Sequence, residues 1–392
     1  MRGKMKKILF KVKGLGIGGI ERLAIDILNN LKLEDKKIVL LIENKEENFL
    51  EDQLDKNVEK VYLKPDWFNP FLVKIKSRKK NIFYKLLYNI LMSCEKIILS
   101  KSINNYIENN KEAEIFIDYN GEAGKYIHKI KNIKKVMWIH LSFLGIKENK
   151  RKKLEKRFQN FDRIVTICDE MEEEVRKLFP ILEEKIIKIY NFINFEKIEE
   201  KLSKFNLNIQ EEKMLKENYC ISVGRLATVK DYETIINAFK ILNEKGINEK
   251  LYIIGDGNNR ENLEKMIKVN RLENQIFLLG QKNNPYIWMK NADMFIHSSK
   301  LEGFGLVLVE AMYCGVPIIS SDFKCGAKEI LLNGEYGELF EVGNFEELAQ
   351  KIEKLLFDND RRQKYILKAK KMIKKFSMKN ILIEYKKLLE EK

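Results

Sequence analysis

The sequence predicts an α/β protein built from two parallel-sheet domains. The chain has 392 residues, more than one hydrophobic core usually supports. Short apolar runs alternate with longer segments of helical period, the pattern of β-α-β units on a parallel sheet. The chain runs through that alternation twice, with a polar stretch lacking any strand pattern, Asn194 to Asn218, between the passes.

In the first pass strands are expected at Lys7 to Val12, Lys37 to Ile42, Ile115 to Asp118, Lys135 to Ile139 and Arg163 to Ile167, with Ile186 to Tyr190 closing the set. In the second they fall at Tyr219 to Val223, Lys250 to Ile254, Gln275 to Leu279, Met294 to His297 and Pro317 to Ser320. The expected division is residues 1–195, 196–375 and a closing segment 376–392. Within the last, Met378 to Lys392 reads as an amphipathic helix whose Ile381, Leu382, Tyr385, Leu388 and Leu389 must cover apolar surface.

Composition narrows the class. Hydrophobic residues make up 45% of the chain with only five prolines, which argues against disorder. The five cysteines show no CxxC spacing and no secretory signal is evident, which suggests a reducing, cytoplasmic setting. No window holds the roughly 18 uncharged apolar residues that a membrane-spanning helix needs. The net charge of +15 calls for an anionic partner. Nine cations against Asp66 and Glu95 fall between Lys64 and Lys101, interleaved with Trp67, Phe68, Phe71, Ile82, Phe83, Tyr84, Leu87, Tyr88 and Leu91. This segment, with Arg78, Lys79 and Lys80 at its centre, fits an interfacial helix on an anionic membrane or a contact to a substrate. It equally fits a helix packed on its own domain with a solvated basic face. No nucleic-acid-binding module appears.

Three constellations could carry chemistry. Gly14-Leu15-Gly16-Ile17-Gly18-Gly19 lies between a strand and a helix, and Glu43 ends the next strand. The pair matches a dinucleotide site with its ribose-binding acid, and would make the protein an oxidoreductase. The glycines could instead serve a tight turn, or present helix N-terminal amides to another phosphate-bearing ligand, which is the preferred reading. Next, Gly224-Arg225-Leu226-Ala227-Thr228-Val229-Lys230 follows the first strand of the second domain. Its two cations suit a diphosphate and could take the place of a metal; otherwise Arg225 pairs with a carboxylate and Lys230 is solvated. The most specific is Glu302-Gly303-Phe304-Gly305-Leu306-Val307-Leu308-Val309-Glu310. Glycines at a helix start free amide groups for a ligand, Glu310 lies at a depth suited to ribose hydroxyls, and Glu302 is placed to meet a sugar.

Gly255-Asp256-Gly257 at a strand end could line a base pocket. His140, also at a strand end, either faces the ligand or hydrogen-bonds structurally. His297 reads as a structural histidine, His128 as a surface residue and Asp358-Asn359-Asp360 as a turn or cap. No carboxylate pattern supports a metal site.

Taken together these residues resemble glycosyltransferase family 4, the group 1 family of retaining enzymes with two facing Rossmann-like domains (GT-B type). The resemblance rests on Gly18-Gly19-Ile20-Glu21-Arg22, Tyr190 to Asn194, Gly224-Arg225-Leu226 with Lys230, Gly255 to Gly257, the Glu302/Glu310 pair, and Gly326-Ala327-Lys328-Glu329-Ile330 with Asn333, Gly334 and Gly337. It implies that Arg225 and Lys230 hold a donor diphosphate, Glu310 the ribose, and Glu302 the transferred sugar beside Gly303, Phe304, Gly305 and Leu306. Gly257 would lie at the donor, Gly18 and Gly19 would approach its phosphates, and His140 would face the sugar. The first domain would bind the acceptor, the second a UDP-sugar, and the last helix would cross back. Neither a cofactor nor a metal is implied, and nucleic acid is not an expected partner. One position departs from the family: Asp231 stands where a glycine usually follows the lysine.

Overall fold

The computed structural model describes residues 5–46, 48–204 and 206–391; the first residues of the basic N-terminus lie outside the described residues. The chain divides into two compact units. The first holds Met1–Ile167, Met171–Tyr190 and Leu382–Lys392, the second Cys168–Glu170 and Asn191–Ile381.

In the first unit the strands are β1 (Lys6–Val12), β2 (Lys36–Ile42), β3 (Glu59–Tyr62), β4 (Ala113–Asp118), β5 (Lys134–Trp138), β6 (Arg163–Thr166) and β7 (Ile186–Lys188). They form one sheet in the order β3-β2-β1-β4-β5-β6-β7, and every pairing is parallel. Parallel strands need helical crossovers that cover both faces, so the inner strands read as continuous apolar runs. Ile8, Leu9, Phe10, Val39, Leu40, Leu41 and Ile42 are all buried. The second unit repeats the plan with β8 (Tyr219–Val223), β9 (Lys250–Ile254), β10 (Ile276–Gly280), β11 (Met294–His297), β12 (Ile318–Ser321) and β13 (Glu338–Phe340). Their order is β10-β9-β8-β11-β12-β13.

Every expected strand is present within two residues at either end. The sequence reading missed β3 and β13, the four-residue and three-residue outermost strands of their sheets. The polar stretch after Asn194 forms two helices, Phe195–Ser203 and Ile209–Met214. Asn194 caps the first through Lys197 N–H and Asn208 caps the second in a reciprocal capping box with Glu211. Asp358 likewise caps helix Asn359–Met372 by accepting from Arg361 N–H. In the first unit, Tyr385 of the last helix (Met378–Glu390) stacks on Trp138 of β5 with ring centroids 5.2 Å apart.

One polar element interrupts the apolar sheet. Lys11 in β1 is fully buried and its Nζ lies 2.8 Å from Glu43 Oε1 and 3.2 Å from Asp118 Oδ1. Tyr126 OH donates to the same Glu43 oxygen at 2.9 Å, and Asp118 Oδ2 accepts from Ala123 N–H at 2.6 Å. Burial alone would lower the Lys11 pKa, but Asp118 and Glu43 reverse that and hold it well above its ordinary value.

Candidate active site

In an open parallel sheet, ligands bind beyond the carboxyl ends of the strands. In the second unit the loops leaving β8, β9, β11 and β12 meet there. Gly255 has φ +142, and a Cβ on it would sit 1.9 Å from the Gly224 carbonyl oxygen; one on Gly257 would sit 2.3 Å from that of Leu226. The loop after β9 therefore lies directly against the loop after β8, which Leu226 N–H joins through the Asp256 carbonyl at 3.0 Å. Gly257 contributes here by permitting that close approach.

The β8 loop ends in a left-handed residue, Asp231 (φ 53, ψ 44). A glycine would adopt this freely; for aspartate it is less favourable but tolerated. The Asp231 side chain compensates, since Oδ2 accepts from Thr234 Oγ1 at 2.8 Å and Oδ1 pairs with Lys300 Nζ at 2.9 Å. The loop therefore keeps the conformation that a glycine would give it, and Ser298 Oγ donates to the Lys230 and Asp231 carbonyls at 2.9 Å each.

The two cations of this loop are in different states. Arg225 is exposed, and no partner of its guanidinium occurs among the described residues. Lys230 is ion-paired with Glu302 Oε1, which reverses the bland alternative of a paired arginine and a solvated lysine. The same oxygen accepts from Ser299 Oγ at 2.6 Å and from His297 Nε2 at 3.0 Å. Burial would raise the Glu302 pKa, yet the hydrogen bond and charge from His297 and Lys230 outweigh it and bring the carboxyl down to about 2. An ionised carboxylate only accepts, so His297 Nε2 carries the proton that it shares. Burial pushes the His297 pKa below its usual value, against the pull of Glu302. One carboxylate oxygen of Glu302 is thus held by three donors, while no contact to Oε2 occurs among the described residues. Glu302 is less free than its position before the helix suggested.

Three residues on, Gly305 takes φ 88, and a Cβ there would lie 2.7 Å from Phe323 Cζ. It caps the helix Leu306–Cys314, whose first amides have no intrahelical acceptor. Gly326 (φ +142) approaches as closely from the β12 side, where a Cβ would meet the Phe304 carbonyl oxygen at 2.0 Å. Phe304 is buried and packs edge-on against Phe376 at 5.5 Å. Glu310, within the helix, accepts from Tyr286 OH at 3.2 Å. Sequence reasoning missed Ser299 and Tyr286 and set His297 apart from the site. The only signal was the run of polar residues His297-Ser298-Ser299 leaving an apolar strand, next to Glu302.

The first unit holds the remaining candidates. Gly18 caps the helix Gly19–Asn30 with ordinary extended φ/ψ (−71, 169), and none of Gly14, Gly16, Gly18 or Gly19 has positive φ. A Cβ on Gly18 would collide with the Glu21 carboxylate at 2.3 Å, so that acid lies back over the helix start. Glu43 is engaged by Lys11 and Tyr126. A ribose-binding role for Glu43, and with it the dinucleotide-dependent oxidoreductase, is not supported. His140 is buried, with Nε2 2.8 Å from the Tyr119 carbonyl oxygen. A carbonyl only accepts, so Nε2 bears the hydrogen and Nδ1 presents a lone pair; that atom is buried with no partner among the described residues. Burial lowers the His140 pKa to about 4. Arg78 and Lys80 are exposed and Lys79 half-buried at the turn between two helices. His128 is exposed, and no cluster that could hold a metal ion occurs among the described residues.

The whole chain superposes on Staphylococcus aureus TarM, crystallised with fondaparinux, α-GlcNAc-glycerol and UDP. The TM-score is 0.74 at 16% identity, covering 99% of this chain and 100% of that one. The fold is GT-B. Residues 203–372 match the family model of glycosyl transferases, group 1. An N-acetylgalactosaminyltransferase of Campylobacter jejuni that acts on an N-acetylgalactosamine-N,N'-diacetylbacillosaminyl-diphospho-undecaprenol is 34% identical over 52% of this chain, a match spanning only 53% of that enzyme's length. An uncharacterized glycosyltransferase of Methanocaldococcus jannaschii is 28% identical, over 93% of this chain and 96% of its own.

Proposed function

We propose that the protein is a retaining, metal-independent glycosyltransferase that moves a hexose or N-acetylhexosamine from a UDP-sugar to a glycan or lipid-linked acceptor. We place this step in surface polysaccharide synthesis, such as capsule or lipopolysaccharide, at the cytoplasmic face of the membrane. The observation that carries the reading is the ion pair of Lys230 and Glu302 at the start of helix Leu306–Cys314, beside the unpaired Arg225. A UDP-bound structural neighbour and a relative named for a diphospho-undecaprenol acceptor support the donor and acceptor classes.

Arg225 and Lys230 bind the diphosphate, and the loop amides of Gly303, Phe304 and Gly305 with the first helix amide, Leu306, face its oxygens. Negative charge accumulates on the leaving diphosphate as the anomeric bond breaks, and preorganised cations and helix amides lower the barrier there. Glu310, with Tyr286 behind it, accepts from ribose hydroxyls. Glu302 remains ionised at all working pH values. Its unoccupied Oε2 therefore accepts from a hydroxyl of the sugar and does not shuttle protons. The acceptor oxygen bonds to the anomeric carbon on the face the diphosphate leaves, and its proton passes to a phosphate oxygen.

The test is release of nucleoside diphosphate from a panel of UDP-, GDP- and ADP-sugars. Lys230→Ala and Glu310→Ala should lose both donor affinity and turnover; wild-type values in both variants would remove the site assignment.

A further inference from the structure

The basic segment forms a helical hairpin in the first unit, Phe68–Ser77 followed by the 28-residue helix Ile82–Asn109. Its base is anchored. Phe68, Leu99, Ile103 and Ile107 are buried, and Lys64 pairs with Glu95 at 2.9 Å; nearer the turn, Ile75 is buried too. Its tip is not. Beside the 78–81 turn Ile82 is 84% exposed, Phe83 65% and Leu86 61%, and Val73 and Ile90 are exposed as well, as is Trp67 at the opposite end of the first helix.

Charge is set among these apolar side chains. Residues 67–94 hold six cations (Lys74, Lys76, Arg78, Lys79, Lys80 and Lys85) and no acidic residue. None of the six has a carboxylate partner among the described residues. Arg78 instead donates to Tyr84 OH at 3.1 Å and Lys79 lies over the Tyr88 ring. Exposed large apolar side chains gathered beside one turn mark an interaction site. The charge says with what. A second copy would bring the same six cations against these in an isologous contact. Nucleic acid would satisfy the cations but leave the aliphatic side chains in water.

We infer that the tip of this hairpin docks on the surface of an anionic lipid bilayer, with Ile82, Phe83 and Leu86 entering the headgroup boundary and the cations meeting lipid phosphates. No helix among the described residues is long and apolar enough to cross a membrane, so the contact is interfacial. The inference rests on this surface and not on the transferase reading.

Phe83→Trp in a Trp67→Phe background supplies a local reporter at the tip, because Trp138 and Trp288 are buried. The protein without donor is titrated with phosphatidylcholine vesicles, with and without phosphatidylglycerol, and both tryptophan emission and co-sedimentation are followed. The expected result is a blue shift of the tip tryptophan, absent in Trp67→Phe alone, and co-sedimentation of the wild-type protein with the anionic vesicles only, weakening as salt is raised. Arg78→Glu/Lys79→Glu/Lys80→Glu should lower the partition coefficient at least about tenfold, and Phe83→Ser/Leu86→Ser should lower it at unchanged salt dependence, each with its melting temperature checked. Absence of wild-type binding to anionic vesicles, binding insensitive to salt, an equal blue shift with duplex DNA, or self-association in place of vesicle binding would each overturn the inference. No turnover is read, so failure here leaves the proposed transfer reaction untouched.

Discussion

Glu302→Gln separates two roles that a single carboxylate plays in the site. In the structure, Lys230 spends its charge on Glu302, and both side chains are partly exposed, at 19% and 14%. Exposed pairs contribute about 0–1 kcal/mol and breaking fully buried ones costs about 3–5 kcal/mol, so this pair falls at about 1–2 kcal/mol. A diphosphate arriving at Lys230 must draw the cation from that partner and also meets the negative charge of Glu302. Glutamine keeps an Oε1 that Lys230, Ser299 and His297 can still address, but removes the charge. UDP should therefore bind roughly 5-fold to 30-fold more tightly to the variant, at about 1.4 kcal/mol per factor of ten. Turnover should move the other way, by roughly 10-fold to 100-fold, because the sugar loses a charged hydrogen-bond acceptor worth about 1.5–3 kcal/mol. Isothermal titration with UDP, paired with steady-state kinetics, reads both. Unchanged or weaker UDP binding by a folded Glu302→Gln protein would refute the idea that Glu302 restrains Lys230.

Other perturbations follow from the same geometry. His140 has its pKa lowered from 6.5 to about 4 by burial, so the unfolded chain takes up a proton before the folded one as the pH falls. Stability is lost between pH 6.5 and pH 4, by about 3 kcal/mol, and urea denaturation of His140→Gln over that range should lack this component. Gly305→Ala combines a left-handed φ with a Cβ 2.7 Å from Phe323, whereas Gly246→Ala has φ +78 and nothing within 4 Å. The first should cost about 3 kcal/mol and the second about 1 kcal/mol in chemical denaturation. Tyr286→Phe deletes the hydrogen bond to Glu310 and should weaken UDP binding by about 1 kcal/mol, roughly 5-fold by titration.

The inner strands were legible because a sheet covered on both faces demands unbroken apolar runs, and Val39 to Ile42 or Leu251 to Ile254 admit little else. The edge strands β3 and β13 were not, because a strand paired on one side can be short and half-polar, as Glu59-Lys60-Val61-Tyr62 is. Glu302 and Glu310 were visible from their spacing about the glycines. Their partners were hidden for different reasons. Lys230 lies 72 residues before Glu302, and the two meet only because β8 and β11 are neighbours in the sheet although β9 and β10 intervene in sequence. Tyr286 reaches Glu310 from a six-residue helix, Pro285–Lys290, that carries no periodic signal of its own. Asp231 looked like a departure from a glycine position, and backbone torsion together with two side-chain bonds shows how the chain accommodates it.

The buried lysine of β1 bears on how the first sheet assembles. With both faces covered, Ile, Leu and Val fit almost equally well if a strand slides by two residues, so hydrophobic pattern alone distinguishes such slips poorly. Lys11 stands opposite Asp118 in the β1–β4 ladder, and Glu43 follows Ile42, which stands opposite Val12 in the β1–β2 ladder. Sliding either neighbour would strand a carboxylate or the ammonium in a medium that tolerates neither alone. The ionic trio thus rejects mispaired sheets, and its replacement by leucines should yield a protein that is stable yet slower to settle on one strand alignment.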